Sequence, residues 1–314
     1  IDPDPPYLDQ IAKLVDLPTL RNAGLRLVAD AMYGAGAGYF EHLLAGGRTT
    51  VIGINQERNP LFPGIQPEPI SQNLGKLMEA VPRLGAQLGL ATDGDADRIG
   101  VVDEKGSFVN QLWVYGLLAL YALEVRGQRG PLVKSLSTTS MIDRLGELYG
   151  VPVYETAVGF KYIGPKMLET GAIIGGEESG GFGFKGHIPE RDGVLAGLFI
   201  ADMVVRLGRS PSELVQYLFD KVGPHYYNRV DLHFPTEERS NIVERISRHP
   251  PADLEGKKVV RILTLDGYKY LLADRSWLLI RFSGTEPIMR IYSEAGSPER
   301  VQRLLGAGRA LAGL

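Results

Sequence analysis

Cysteine is absent from the 314 residues, which excludes disulfides, zinc–thiolate sites and a cysteine nucleophile. No apolar run approaches the roughly 18 residues that cross a bilayer. Charge of one sign is not in excess either: 34 Lys and Arg stand against 37 Asp and Glu, a formal net charge of −3. That balance excludes a polybasic surface for nucleic acid or anionic membrane as the main business of the chain. The opening Ile-Asp-Pro-Asp-Pro-Pro lacks a charged stretch followed by an apolar one, so no secretory signal is expected. There is no collagen period and no low-complexity tract. What is abundant is glycine, with 39 residues where average usage gives about 22; the surplus belongs in turns and ligand loops. The expectation is a soluble, cytoplasmic globular protein of two domains or three small ones.

The hydrophobic pattern predicts a succession of strand–helix–strand units. Strands are predicted at 25–29, 49–54 and 88–92, with helices at 40–44 and 71–84 and a Pro-, Asn- and Gly-rich loop over 55–70. Ile99 to Asp103 with the turn Glu104-Lys105-Gly106 reads as one arm of a hairpin. A second unit has helices at 112–125, 141–149, 161–169 and 193–207, and strands at 131–135, 151–154 and 172–174. The rhythm changes near Tyr226: strands at 229–232, 258–264, 269–273, 277–282 and 288–292 are joined by helices at 236–247 and 297–311. The expected fold class is α/β: two α/β/α three-layer domains with mainly parallel mixed sheets, then an α+β domain with an antiparallel sheet. The expected boundaries give domains at 1–105, 106–222 and 223–314.

Asp93-Gly94-Asp95-Ala96-Asp97-Arg98 is the sharpest chemical signal. Three carboxylates at alternate positions after a buried strand converge when the chain curls, and oxygen-only ligands suit a hard cation such as Mg²⁺. A calcium loop of the EF-hand kind fits less well, because Arg98 stands where that loop needs glycine and the flanks read as strands. The plain alternative is a solvated acidic turn.

Two further loops carry chemistry. Gly175-Gly176-Glu177-Glu178-Ser179-Gly180-Gly181 follows a strand, and its glycines let the backbone approach a ligand while Glu177 and Ser179 take hydrogen bonds from vicinal hydroxyls. The alternative is a simple turn or helix start. The charged tail from Phe184 to Gly193 contains His187, read as a structural histidine, and Arg191, a candidate ligand contact. Arg281-Phe282-Ser283-Gly284-Thr285-Glu286-Pro287 with Arg290 offers guanidinium groups, hydroxyls and turn N–H groups to a phosphate, against the alternative of an ordinary hairpin with exposed arginines. Lys161, between Phe160 and Tyr162, is either a cleft contact or a solvated lysine at a helix start.

Taken in order, these segments resemble those of the α-D-phosphohexomutase family, the phosphoglucomutases and phosphomannomutases. Asp93 to Arg98 matches its metal loop, Gly176 to Gly180 its sugar loop and Arg281 to Pro287 its phosphate loop. The resemblance spans essentially the whole chain and places it on the second, third and fourth of the family's four domains. The family's first domain carries a phosphoserine in a Thr-x-Ser-His-x-Pro type segment, which does not occur here, so a missing N-terminal domain is expected.

The resemblance implies an isomerase of carbohydrate metabolism that moves a phosphoryl group between the 1- and 6-positions of a hexose phosphate, with glucose 1,6-bisphosphate as activating intermediate. It implies that Asp93, Asp95 and Asp97 hold Mg²⁺ and that Arg98 and Lys161 serve the catalytic region. Gly176, Glu177, Ser179 and Arg191 would bind the sugar. Arg281, Ser283, Gly284, Thr285 and Arg290 would bind the phosphate. Gly181 and Glu178 depart from the His and Met of many phosphomannomutases and favour glucose over mannose. The competing expectations are a non-catalytic phosphosugar-binding module or split-enzyme half, and a Mg²⁺-dependent phosphatase of the haloacid dehalogenase type built on Asp93-Gly94-Asp95.

Overall fold

The computed structural model describes residues 2–248, 250–283 and 287–313. The proline-rich lead enters helix α1 (Asp4–Leu14), followed by α2 (Leu17–Asn22), whose first turn is capped by the Asp16 carboxylate accepting from the Thr19 N–H. Then come β1 (Arg26–Asp30), α3 (Tyr39–Leu44), β2 (Thr50–Ile54), α4 (Gly75–Arg83), β3 (Leu88–Thr92), β4 (Ile99–Val102) and β5 (Phe108–Val109). The sheet order is β2-β1-β3-β4-β5; the first three strands are parallel and β4 and β5 antiparallel.

A second unit repeats this plan. It comprises α5 (Gln111–Leu120, continued by a π turn over Tyr121–Val125), β6 (Leu132–Ser135), α6 (Met141–Tyr149), β7 (Val153–Thr156), α7 (Phe160–Thr170), β8 (Ile174–Gly176), β9 (Phe182–Phe184), α8 (Gly193–Leu207) and α9 (Pro211–Val222). Its order, β7-β6-β8-β9, again has three parallel strands and an antiparallel edge. The third unit is β10 (Tyr226–His233), α10 (Arg239–Arg248), β11 (Asp253–Leu254), β12 (Lys257–Leu263), β13 (Tyr268–Leu272), β14 (Trp277–Phe282), β15 (Ile288–Ala295) and α11 (Pro298–Ala312). Its antiparallel sheet runs β10-β15-β14-β13-β12-β11. The expected fold class is the one observed.

The two α/β sheets share their middle layer. Helices α5 and α8 are apolar on nearly every side and almost wholly buried, as a helix must be when both faces meet a core. Helix α8 lies on β3 and β4. Tyr115 of α5 stacks on Phe182 of β9 at 5.4 Å and donates its hydroxyl to the Val133 carbonyl of β6 at 2.6 Å. One core therefore runs from Leu27 and Leu90 through Leu117 and Leu198 to Leu132 and Ile174. Helix α4 closes the outer face of the first sheet with Leu77 and Val81, and α7 that of the second with Ile163 and Met167.

The antiparallel unit is joined to the second through a buried ionic contact. Lys269 of β13, 2% exposed, donates to the Leu136 carbonyl at 2.6 Å and to Glu155 at 2.8 Å. Lys134 shares Glu155 and pairs with Asp143. Beside it, Glu294 accepts from the Ser140 N–H at 2.9 Å and the Trp277 indole N–H at 3.1 Å. Removing one member of a buried pair strands the other's charge. Glu155 is the ion-pair partner of Lys269, so Glu155→Ala is expected to lower unfolding stability by about 3 kcal/mol, read from urea midpoints; a loss below about 1 kcal/mol, the range of a surface pair, contradicts this assignment.

Candidate functional site

The aspartate loop is the turn of the β3–β4 hairpin, which pairs Thr92 with Ile99. Ala96 takes the left-handed conformation at φ 65°, tightening the turn so that one oxygen each from Asp93, Asp95 and Asp97 lies within 4.8 Å of the others. Arg98 holds the turn closed: its N–H donates to Asp93 Oδ1 at 3.0 Å and its Nε to Asp93 Oδ2 at 2.6 Å, while Nη1 reaches Glu68 at 3.0 Å. Asp93 is fully buried and Asp95 exposed. Burial, reinforced by Asp93 and Asp95 and opposed by Arg191, pushes the Asp97 carboxyl up to about 7. Negative charge is thus incompletely compensated, and a hard divalent cation with oxygen ligands fits this donor set.

The 175–181 loop closes against the same turn. The Glu177 N–H donates to the Gly181 carbonyl at 3.0 Å, and the Ile99 N–H of β4 donates to the Gly180 carbonyl at 3.0 Å. Arg98 and Gly181 form an antiparallel bridge. Gly180 is left-handed at φ 92°, and a Cβ there would lie 2.9 Å from the Ile99 carbonyl, so only glycine lets the loop pass this close to β4. Glu177 is 7% exposed; burial holds its carboxyl above the usual range, with Arg191 opposing. Ser179 is half-buried, and its carbonyl accepts from Gln111 Nε2 at 3.0 Å. Gly176 is packed on the Tyr115 ring.

Arg191 joins the two loops, with Nη2 2.5 Å from Asp97 Oδ2 and Nη1 3.4 Å from Glu177 Oε2. The structure therefore brings Asp93, Asp95, Asp97, Arg98, Glu177 and Arg191 together. Beside them a cleft of about 780 Å³ is lined by Tyr7, Tyr39, Asp95, Asp97, His187 and Arg191.

The phosphate-loop residues stand on the antiparallel sheet. Arg281 of β14 and Arg290 of β15 are cross-strand partners, held by Asp266 at 3.0 Å and Asp231 at 3.4 Å respectively. Ser283 is 7% exposed, and its N–H donates to the Ile288 carbonyl at 2.8 Å. Gly284 and Thr285 lie outside the described residues. Lys161 is exposed in the first turn of α7, its ammonium 5.1 Å over the Tyr162 ring.

Several contacts were not legible beforehand. Glu68, on the Pro-rich loop, partners Arg98; Glu178 accepts from the Tyr227 hydroxyl at 2.7 Å and Arg229 at 3.1 Å, tethering the sugar loop to β10. Asp192 accepts from the Leu195 N–H at 2.8 Å, from Tyr7, and pairs with His187 at 3.0 Å. Asp192 alone gave a local signal, since an Asp before an apolar helix is a capping residue.

Family comparisons agree with this architecture. Phosphoglucomutase/phosphomannomutase α/β/α domain II matches residues 5–106, α/β/α domain III matches 113–222 and the C-terminal domain matches 238–308. The chain belongs to the α-D-phosphohexomutase family of phosphoglucomutases and phosphomannomutases. It is 35% identical over 303 residues to a phosphoglucomutase/phosphomannomutase of Thermococcus kodakarensis, covering 96% of this chain and 64% of that protein. A phosphopentomutase of the same organism is 30% identical over 300 residues, with 96% and 64% covered. A crystal structure assigned to a phosphomannomutase of Thermus thermophilus is 37% identical and superposes with TM-score 0.83 over 98% of this chain and 65% of that one. The chain thus spans somewhat less than two thirds of the length of these relatives. Membership in this family sets aside the haloacid dehalogenase reading of Asp93-Gly94-Asp95.

The raised Asp97 carboxyl gives a pH test. It titrates near 7 in the fold against about 3.9 in an unfolded chain, so it favours the fold only while protonated, and that contribution is lost as pH rises through 7. A bound divalent cation offsets the loss. MgCl₂ is therefore expected to raise Tm more at about pH 8 than at about pH 6; an equal shift at both, followed by circular dichroism, contradicts the assignment.

Proposed function

We propose that this chain is the metal- and substrate-binding part of a hexose-phosphate mutase of the phosphoglucomutase/phosphomannomutase type, with domains at 1–105, 106–222 and 223–314. The observation that carries the reading is the union of an acidic triad with a buried glutamate through Arg191. Asp93, Asp95 and Asp97 hold Mg²⁺, which when bound neutralises charge developing on a transferred phosphoryl group. Arg98 keeps the triad in register by its two bonds to Asp93. Glu177 and Ser179 accept hydrogen bonds from the sugar hydroxyls, with the backbone at Gly176 giving close approach. Arg281, Ser283, Gly284, Thr285 and Arg290 grip the phosphate that does not react. Lys161 contacts the sugar or its phosphate. Gly181 and Glu178 favour glucose.

These 314 residues hold no Thr-x-Ser-His-x-Pro segment, and the phosphoryl carrier is assigned to a serine outside them. Glucose 1,6-bisphosphate is then the intermediate that turns over between the two half-transfers. With Mg²⁺ and a trace of this bisphosphate, the chain alone is expected to bind glucose 1-phosphate calorimetrically without releasing glucose 6-phosphate in a coupled dehydrogenase assay. Release of glucose 6-phosphate overturns the placement of the carrier, and absence of binding overturns the site itself. The double substitution Arg281→Ala, Ser283→Ala is expected to weaken glucose 1-phosphate binding at least about tenfold, the scale of one charged hydrogen-bonding group. Unchanged affinity contradicts the role given to this loop.

A further inference from the structure

Arg191 spans the two acidic loops. Its contact with Asp97 is the shorter one, 2.5 Å against 3.4 Å to Glu177, and Phe160 lies 5.8 Å from the guanidinium. Arg98 comes only within 3.8 Å of Asp97 and is committed to Asp93 and Glu68. Among the described residues Arg191 is therefore the main cation on Asp97, and the only ion-pair partner of Glu177.

The chain makes room for this arm. A Cβ on Gly181 would lie 2.2 Å from Arg191 Cδ, and Gly181 does not have the positive φ that favours glycine; a larger residue there would have to push the Arg191 stem aside. The root of the arm is fixed as well. The Asp192 N–H donates to the Phe182 carbonyl and the Gly193 N–H to the Ala96 carbonyl, each at 3.0 Å. A Cβ on Gly193 would lie 2.4 Å from the Arg98 carbonyl. Arg191 thus leaves a rigid base and turns its guanidinium onto a carboxylate of the metal loop.

A carboxylate oxygen engaged this closely by a guanidinium has to yield some of that contact before a cation takes the same position, because two positive charges on one oxygen repel. We propose that Arg191 is a latch that competes with the metal for Asp97 and moves onto Glu177 when the metal binds. It is a positioning residue: it reports metal occupancy to the sugar loop, where Glu177 is buried and in need of a cation. This inference rests on the metal-loop reading given above. It also gives Gly181 a part in seating the Arg191 stem.

The test is calorimetric titration of the whole chain with MnCl₂. Arg191→Met is expected to bind Mn²⁺ about tenfold more tightly than the unmodified chain, the worth of one charge-assisted hydrogen bond. Gly181→Ala displaces the stem of Arg191 while keeping every charge, and is expected to tighten binding in the same direction. Asp97→Asn is expected to abolish binding, which tests the metal loop by itself. Loss of binding in Asp97→Asn with no gain in Arg191→Met or Gly181→Ala overturns the latch and leaves the metal site standing. A gain in Arg191→Met alone reduces its role to a distant field and also overturns the latch. If neither the unmodified chain nor Arg191→Met binds Mn²⁺, the metal loop and the latch fail together.

Discussion

Like charges held close together set the terms for this site. Oxygens of Asp93, Asp95 and Asp97 lie within 4.8 Å of one another, in a turn where Asp93 has no exposure at all and repulsion is weakly screened. A turn of this kind persists only if positive charge is brought to it. Arg98 supplies it from within the turn, and Arg191 from the start of α8. Each arginine carries a second anion, Glu68 for one and Glu177 for the other, so that neutralising the turn also fastens the Pro-rich loop and the sugar loop around it. The electrostatic constraint of one hairpin thereby organises three separate stretches of chain.

The fold delivers those stretches to one place. The aspartate loop follows β3 and the 175–181 loop follows β8, both at the carboxyl ends of parallel strands, where open α/β sheets place their ligands. Because the two sheets pack on the same apolar helices, neither end shifts without disturbing a common core. Helix α8 belongs to both halves: its body packs on β3 and β4, while its entry at Asp192 is bonded to β9. The antiparallel unit is fastened at two levels, by Lys269 and Glu294 in the buried interface and by Glu178 at the rim of the site. Arg281 and Arg290 are presented from its central strands.

Local chemistry was legible in the sequence wherever a few neighbouring residues decide it. The Asp-x-Asp-x-Asp run, the Gly-flanked Glu177 and Ser179, the helix at Met141–Tyr149 and most strands lie where the pattern predicts. Strand ends moved by about two residues at Val153–Thr156 and Ile174–Gly176, because runs of apolar residues mark burial and not the limits of pairing. Helix α9 was not anticipated, although Ser210 and Glu213 form a capping box with Pro211 at the first position, the recognised start signal. Strand β9 is only Phe182-Gly183-Phe184, too short to show alternation. Out of reach altogether were contacts between distant stretches: Arg191 with Asp97, Glu68 with Arg98, Glu178 with Arg229 and Lys269 with Glu155. Such pairs depend on how the sheets are stacked, which no window of sequence contains.

The central claim is that the metal loop and the phosphosugar contacts form one site. Phosphorus NMR of glucose 1-phosphate on the whole chain, with Mn²⁺ in place of Mg²⁺, addresses it directly. Paramagnetic broadening of the bound phosphate resonance beyond that of free sugar phosphate with Mn²⁺, lost in Asp97→Asn, is the predicted result. A phosphosugar that binds without such broadening places metal and sugar apart, and broadening that survives Asp97→Asn places the bound Mn²⁺ outside the aspartate loop; either result contradicts the account.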